Sequence, residues 1–284
     1  MTLIGFTCVY NEEEYVPFVM PYVEALGYDK FIVFDNGSTD RTVELLKEYP
    51  FVEIRHYETN GEFDDNAKRD IQWSAFIECK KLSALDIVVM TWTDFDEVLL
   101  WHGDVNIKKQ LETDYIWRGY NCFFKNMINL IPPAYITDSR TPMMNIFKLG
   151  TMVHTITGMR GCVWVGGMKP TMLVVNDFAD ADFYPGNHYA FLRPEFGKVI
   201  KNYDDTCRMY GFHMKFIDRE ILRRKTISYC ERGKNAYVDA LPNFDKMYDR
   251  HVGLSFPLEN YFLEDFYHSK LSTTGTEYEG ALPK

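Results

Sequence analysis

The sequence predicts an α/β protein, with a mostly parallel central sheet flanked by helices, a mixed-sheet extension and further helices at the C-terminal end. Three observations carry this. Short apolar runs rich in Val, Ile and Phe alternate with stretches of helical period through the first hundred residues. Polar punctuation gathers at the carboxyl ends of those runs. Past Trp101 the pattern changes to strands interrupted by Pro and Gly. At 284 residues, 46% of them apolar, the chain can bury one large α/β core or two small ones sharing it.

Taken in order, the runs at 3–9, 30–34, 52–56 and 86–90 read as buried strands. Helices are expected at 12–26, closed by Gly27, at 40–48, opened by Ser38 and Thr39, and at about 65–82. Strand, helix and strand at this spacing make βαβ units with right-handed crossovers. In the second half, 115–124, 146–149, 163–168 and 172–175 read as strands, broken by Pro132, Pro133 and several glycines. A long helical stretch is expected over 194–225, with shorter helices at 244–251 and 258–268 and a frayed tail from Ser272.

A net charge of -10 argues against a nucleic-acid binder, whose surface must neutralise phosphates. The dense basic run "REILRRK" from Arg219 to Lys225 reads as one helix face, either solvated or turned to an anionic membrane or acidic acceptor. Six scattered cysteines without a C-x-x-C pair disfavour structural zinc and suit free thiols in a reducing, cytoplasmic compartment. "MTLIGFTCVYNEEE" has no basic leader, and no stretch approaches a membrane span. The sequon at Asn36 reads as a turn. Aromatics, at 16%, supply core and also rings for flat ligands or sugars, with Trp101, Trp117, Tyr120, Phe123, Phe124 and Trp164 as stacking candidates.

In parallel sheets, ligands bind beyond the carboxyl ends of the strands. Here those ends read "VYNEEE", "FDNGSTD" and "TDFDE". Within "MTWTDFDEVLLW", three acids, Asp94, Asp96 and Glu97, crowd into four positions between apolar runs. Carboxylates so close need water or a cation. Asp94 and Asp96, at i and i+2 past a strand, can converge on a hard divalent ion that also takes phosphate oxygens. Glu97 either holds the turn or orients a metal-bound water.

"CVYNEEEYV", then "VFDNGSTDRT", then "DFDE" after an apolar strand resembles a family 2-type glycosyltransferase of the GT-A fold, closely over about the first 100 residues and loosely to about 195. The resemblance implies that Cys8, Val9, Tyr10 and Asn11, with Glu12 or Glu14, line a nucleoside pocket, and that Asp35 meets base or ribose. Arg69 would reach the base or diphosphate. Asp94 would touch the ribose or sugar, and Asp96 would ligate Mn2+ or Mg2+. In "GGMKPTMLVVNDFADADFYPGNHYAFLRP", Lys169 would meet the diphosphate, His188 would complete the metal's ligands, and Arg193 is a second cation candidate. An inverting transfer needs a general base; the family's Glu-Asp pair has no clean counterpart, and Asp138, Asp177 and Asp180 are the candidates.

By that likeness, 1–193 is the catalytic domain, with 1–101 its nucleotide-binding half and 102–193 its acceptor half. Residues 194–271 are a helical extension packed on it, and 272–284 a flexible tail. The expected activity is metal-dependent sugar transfer from a nucleotide-diphosphate sugar, with a UDP-sugar favoured, to a saccharide acceptor in surface polysaccharide or glycan synthesis. A sugar nucleotidyltransferase would prefer a Gly-rich basic loop after the first strand, whereas "CVYNEEEY" is acidic there. A non-catalytic glycan-binding module on the same fold is the third reading.

Overall fold

The structure is a computed structural model, and it describes residues 1–59, 62–101, 106–115, 118–131, 160–163, 169–185, 190–203, 209–214, 218–233, 241–254 and 256–257. Strands β1 (Thr2–Val9), β2 (Lys30–Asp35), β3 (Val52–His56) and β4 (Val88–Trp92) lie parallel in the order β3-β2-β1-β4. Ile4 stands opposite Lys30, and Thr2 opposite Val88. The crossovers carry α1 (Val16–Ala25), α2 (Thr42–Leu46) and α3 (Asp65–Leu82). From β1 the chain winds outward to β2 and β3, then returns along α3 to β4 on the far side of β1. Such a reversal leaves a crevice at the carboxyl ends of the strands.

Two further strands complete a six-strand row. β8 (Lys169–Val174) runs antiparallel to β4, and β6 (Cys122–Ile131) antiparallel to β8, so only β8 is reversed. β6 finds partners along both halves of its length. Its first residues pair with β8 and with β11 (Asn202–Tyr203), and its later ones with β7 (Arg160–Val163) and β12 (Met209–His213). β12 also pairs antiparallel with β5 (Glu97–Trp101), and β13 (Phe256–Pro257) with β7. A separate ribbon joins β9 (Phe178–Phe183) to β10 (Ala190–Pro194). This is the α/β sheet that the GT-A resemblance implies, with its mixed extension.

Period-two alternation places Ile4, Phe6, Val88, Met90 and Trp92 on one face, under Ala75, Phe76 and Cys79 of α3. Leu3 and Val89 fall on the other, with Leu26, with Ile107 of the short helix α4 (Ile107–Gln110) and with Leu111. Phe6, Phe34 and Trp92 form a triangle of stacked rings, with centroid distances of 6.4, 6.2 and 6.3 Å, a geometry worth about 1 kcal/mol per pair beyond burial. These rings make the floor from which the polar loops rise.

Several elements differ from the sequence reading. α1 begins at Val16 because residues 12–15 form a turn, with Tyr15 N donating to Glu12 O, and Pro17 takes a first-turn position that needs no donor. α2 is confined to Thr42–Leu46, whereas α3 matches its expected span, capped by Asp64, which accepts from Asn66 N and Ala67 N. The strand expected over 115–124 starts only at Cys122, after a π-helical turn at Leu111–Tyr115 and a left-handed Gly119. Of the long helix expected over 194–225, only the part from Arg219 onward is helical among the described residues. β10 ends at Pro194, Gly197 adopts φ 80°, and β11 and β12 follow before α5 (Arg219–Glu231). Pairing with β5 and β6 satisfies that backbone and overrides its local helical spacing. α6 (Phe244–Leu254) falls where a helix was expected. The expectations at 146–149, 164–168 and 258–284 lie outside the described residues.

Candidate functional site

At the end of β1 the chain turns through Asn11, a non-glycine residue at φ 53°. Its side chain makes that conformation worthwhile: Asn11 Oδ1 accepts from Thr39 N at 2.8 Å, while Asn11 N donates to Ser38 Oγ at 3.0 Å. Glu12 N and Glu13 N donate to Thr42 Oγ1 and Asp40 Oδ2 at 2.7 and 3.2 Å. The "VYNEEE" and "DNGSTD" loops are thereby laced together, and the donors of the first loop are already engaged by side chains of the second.

Beside them opens a cleft of about 320 Å3. Its floor is Cys8, Val9, Tyr10 and Asn11 from the end of β1, with Asn36 and Tyr57 alongside. Phe63, Asp64 and Lys68 form one side at the start of α3, and α5 forms the roof. Ile221, Arg224, Lys225, Ser228, Tyr229 and Arg232 fall at helical spacing on one stripe of that roof. Asp218 caps α5 by accepting from Glu220 N and Ile221 N at 2.8 and 2.9 Å. Its far end is tied down where Phe63 N donates to Arg232 O at 2.8 Å.

Three basic side chains bind the roof to the loops beneath it. Arg224 pairs with Glu14. Lys225 Nζ lies 2.9 Å from Glu12 Oε1 and 3.1 Å from Asp96 Oδ2, and 4.5 Å over the ring of buried Tyr15. The Arg232 guanidinium lies 3.7 Å over the ring of Tyr10, a cation–π contact. Burial opposes charge on both Asp96 and Lys225, but their mutual attraction outweighs it. With His213 Nε2 at 3.4 Å helping, the Asp96 carboxyl is held well below its usual range and Lys225 well above. Burial pushes the Glu12 carboxyl up to about 7, against the pull of Lys225.

The acids between β4 and β5 form a tight turn, in which Glu97 N donates to Asp94 O at 3.0 Å and the buried Phe95 pins the corner. Asp96 O accepts from Met214 N, so the turn is stitched to the end of β12. Among the described residues, neither Asp94 nor Asp96 lines the cleft itself; lysines stand between. Lys68 Nζ is 3.6 Å from Asp94 Oδ1, and Lys225 covers Asp96.

The structure thus gathers Cys8, Val9, Tyr10, Asn11, Glu12 and Glu14 around one cleft. Asp35 is buried and turned back on its own loop, accepting from Ser38 N at 3.1 Å, with His56 Nδ1 at 3.2 Å; its neighbour Asn36 faces the cleft. Arg69 points along the exposed side of α3 toward Asp70, and Lys68 takes the inward position. Asp177 pairs with Lys198, and Asp180 with Arg193, away from the cleft lining. Asp138, His188 and the side chain of Lys169 lie outside the described residues.

The cationic roof is what sequence reasoning missed. The run from Arg219 to Lys225 is helical, as expected, but its inner members face this chain's own acids. The available signal was complementarity: three consecutive glutamates after β1, and basic residues spaced three and four apart.

A divalent ion at Asp96 and Asp94 would need their oxygens converging on one open point. That does not fit the described residues. The Lys225 ammonium fills the space between Asp96 and Glu12 at hydrogen-bond distance, Asp94 faces Lys68, and no group of three or more His, Cys, Asp or Glu among the described residues is arranged to hold a metal.

No protein-family model matches this chain, and no curated protein matches it. Among solved structures it is similar to S. aureus TarS 1-349, at 12% identity over 80% of this chain and 65% of that one, with a TM-score of 0.40. It is similar also to glucosyl-3-phosphoglycerate synthase from Mycobacterium tuberculosis, solved with Mn2+, UDP and glucosyl-3-phosphoglycerate, at 13% identity, 66% and 61% coverage and a TM-score of 0.34. A third is galactosyltransferase LgtC with donor and acceptor sugar analogs, at 14% identity, 61% and 58% coverage and a TM-score of 0.28. The chain spans less than two-thirds of each of these. At such values the likeness carries no argument about chemistry. No helix among the described residues is long and apolar enough to cross a membrane.

Proposed function

We propose that the chain is a glycosyltransferase that moves a sugar from a nucleotide-diphosphate sugar, a UDP-sugar in the first instance, to a saccharide acceptor with inversion, in cytoplasmic synthesis of a surface polysaccharide or glycan. One observation carries the reading: the cleft opens at the carboxyl ends of β1, β2 and β3, with Tyr10, Tyr57 and Phe63 in its lining and Lys68, Arg224, Lys225 and Arg232 around it. Rings suit a flat base, and cations suit a diphosphate. Fixed cations in a site that excludes water stabilise a nucleoside diphosphate as it leaves the sugar, the large electrostatic contribution to such a transfer. The motifs "CVYNEEEYV", "VFDNGSTDRT" and "DFDE", all at strand ends of one sheet, support the same assignment. Of the candidates for the base, Asp138 lies outside the described residues, and Asp177 and Asp180 would each have to leave an ion pair, with Lys198 and with Arg193, away from the cleft lining.

The nucleotidyltransferase reading fares worse. It needs open backbone donors after β1 to cradle a triphosphate. In this chain the N–H groups of Asn11, Glu12 and Glu13 are taken by Ser38, Thr42 and Asp40.

The test is a donor screen. Purified protein is incubated with UDP-, GDP- and dTDP-sugars, and release of free nucleoside diphosphate is followed with and without oligosaccharide acceptors. Turnover of one donor class, slowed by Tyr10→Ala, supports the assignment. Nucleotide binding without turnover of any donor would leave the binding-module reading in its place.

A further inference from the structure

We propose that Lys225 supplies the positive charge for which the motif resemblance calls on a divalent ion, so that a nucleoside diphosphate binds this cleft without metal. The proposal rests on the donor-site reading above and goes beyond it. An ammonium has three donors. Those of Lys225 reach Glu12 at 2.9 Å and Asp96 at 3.1 Å, and the group lines the cleft, where a third donor meets an incoming oxygen. Lys68, also in the lining, stands to Asp94 as Lys225 stands to Asp96. Each carboxylate of the "DFD" turn is therefore matched by a lysine rather than joined to the other by a shared ion.

A second observation points to a ligand at the same spot. Tyr15 lines the cleft, is 2% exposed, and carries its ring 4.5 Å from Lys225 Nζ. Its hydroxyl is buried and has no hydrogen-bond partner in the structure. A buried hydroxyl left unpaired is costly, and a phosphate oxygen drawn in by Lys225 would relieve it. Lysine and tyrosine together make a diphosphate subsite of one cation and one neutral donor.

The experiment is calorimetric titration of UDP and of GDP into the full chain, once in EDTA and once in MnCl2, with Lys225→Met and Tyr15→Phe alongside, and folding checked by circular dichroism. The expected result is a dissociation constant in EDTA within about three-fold of that in Mn2+. Lys225→Met should weaken binding in EDTA about ten-fold or more, and Tyr15→Phe, which keeps the ring, about five-fold. Binding that appears only with Mn2+ overturns this inference and leaves the donor site standing. Binding of neither nucleotide in either buffer overturns the donor-site reading and the inference with it. Should Lys225→Met fail to fold, the wild-type comparison and Tyr15→Phe decide; Tyr15→Phe binding as tightly as wild type removes the subsite.

Discussion

Lys225 reaches Glu12 and Asp96 across 213 and 129 residues of sequence, and through them one helical side chain clamps the loops after β1 and β4. Breaking such a buried cluster from the cation side leaves two carboxylates facing each other with only His213 beside Asp96, at a cost of about 3–5 kcal/mol. Lys225→Met should therefore lower the urea midpoint sharply. Adding Asp96→Asn removes one stranded charge and should restore part of the loss. A double variant no more stable than Lys225→Met alone would show that the charges are not coupled as the distances imply.

The cap of α5 controls both the helix and the cleft. Asp218 satisfies the first N–H groups of a helix whose later turns carry Arg224, Lys225 and Arg232. Asp218→Ala should cost about 1 kcal/mol of stability by thermal or urea unfolding. It should also weaken nucleotide binding a few-fold, because fraying at the start of α5 loosens the roof. Asp218→Asn, which keeps the accepting oxygen, should restore both. Loss of stability with unchanged binding would mean that the roof is held by its far end alone.

The sheet was legible because its physics is local. Apolar runs five to eight residues long, Asp64 ahead of α3 and Gly27 after α1 are each visible within a short window. The acid turn was legible too, since nothing but charge chemistry explains three acids between apolar strands. What could not be read was pairing at a distance. Residues 202–203 and 209–213 become strands because β5 and β6 offer open edges, and Lys225 turns inward because Glu12 and Asp96 wait for it. Arg69 and Asp35 illustrate the same gap on a smaller scale. One residue of helical phase separates the outward Arg69 from the inward Lys68, and one position in a turn separates buried Asp35 from cleft-lining Asn36.

Phe6 is the keystone of the face beneath α3, fully buried and stacked on two rings. Phe6→Ala should cost about 3–5 kcal/mol, the transfer term and the cavity together. Leu85, just past α3 and 93% exposed, supplies the contrast: Leu85→Ala should stay within about 0.5 kcal/mol. Denaturant unfolding of the two side by side checks the core assignment.

Cys8 offers a probe of the cleft from inside. Burial pushes its thiol up to about 11, against the pull of Lys68 and a hydrogen bond with Tyr57. Only the thiolate alkylates, so at neutral pH the folded protein should label at Cys8 far more slowly than the urea-denatured chain. The sign follows from the shift. The rate in the denatured chain levels off near pH 9, whereas that of folded Cys8 should keep rising about ten-fold per pH unit toward 11. Because Cys8 lines the floor of the cleft, UDP bound there should slow labelling further at every pH. Peptide mapping after timed iodoacetamide treatment reads both effects. Labelling at neutral pH as fast in the folded protein as in urea would mean that the floor of the cleft is open to water, and the rings around it could not then hold a base out of solvent.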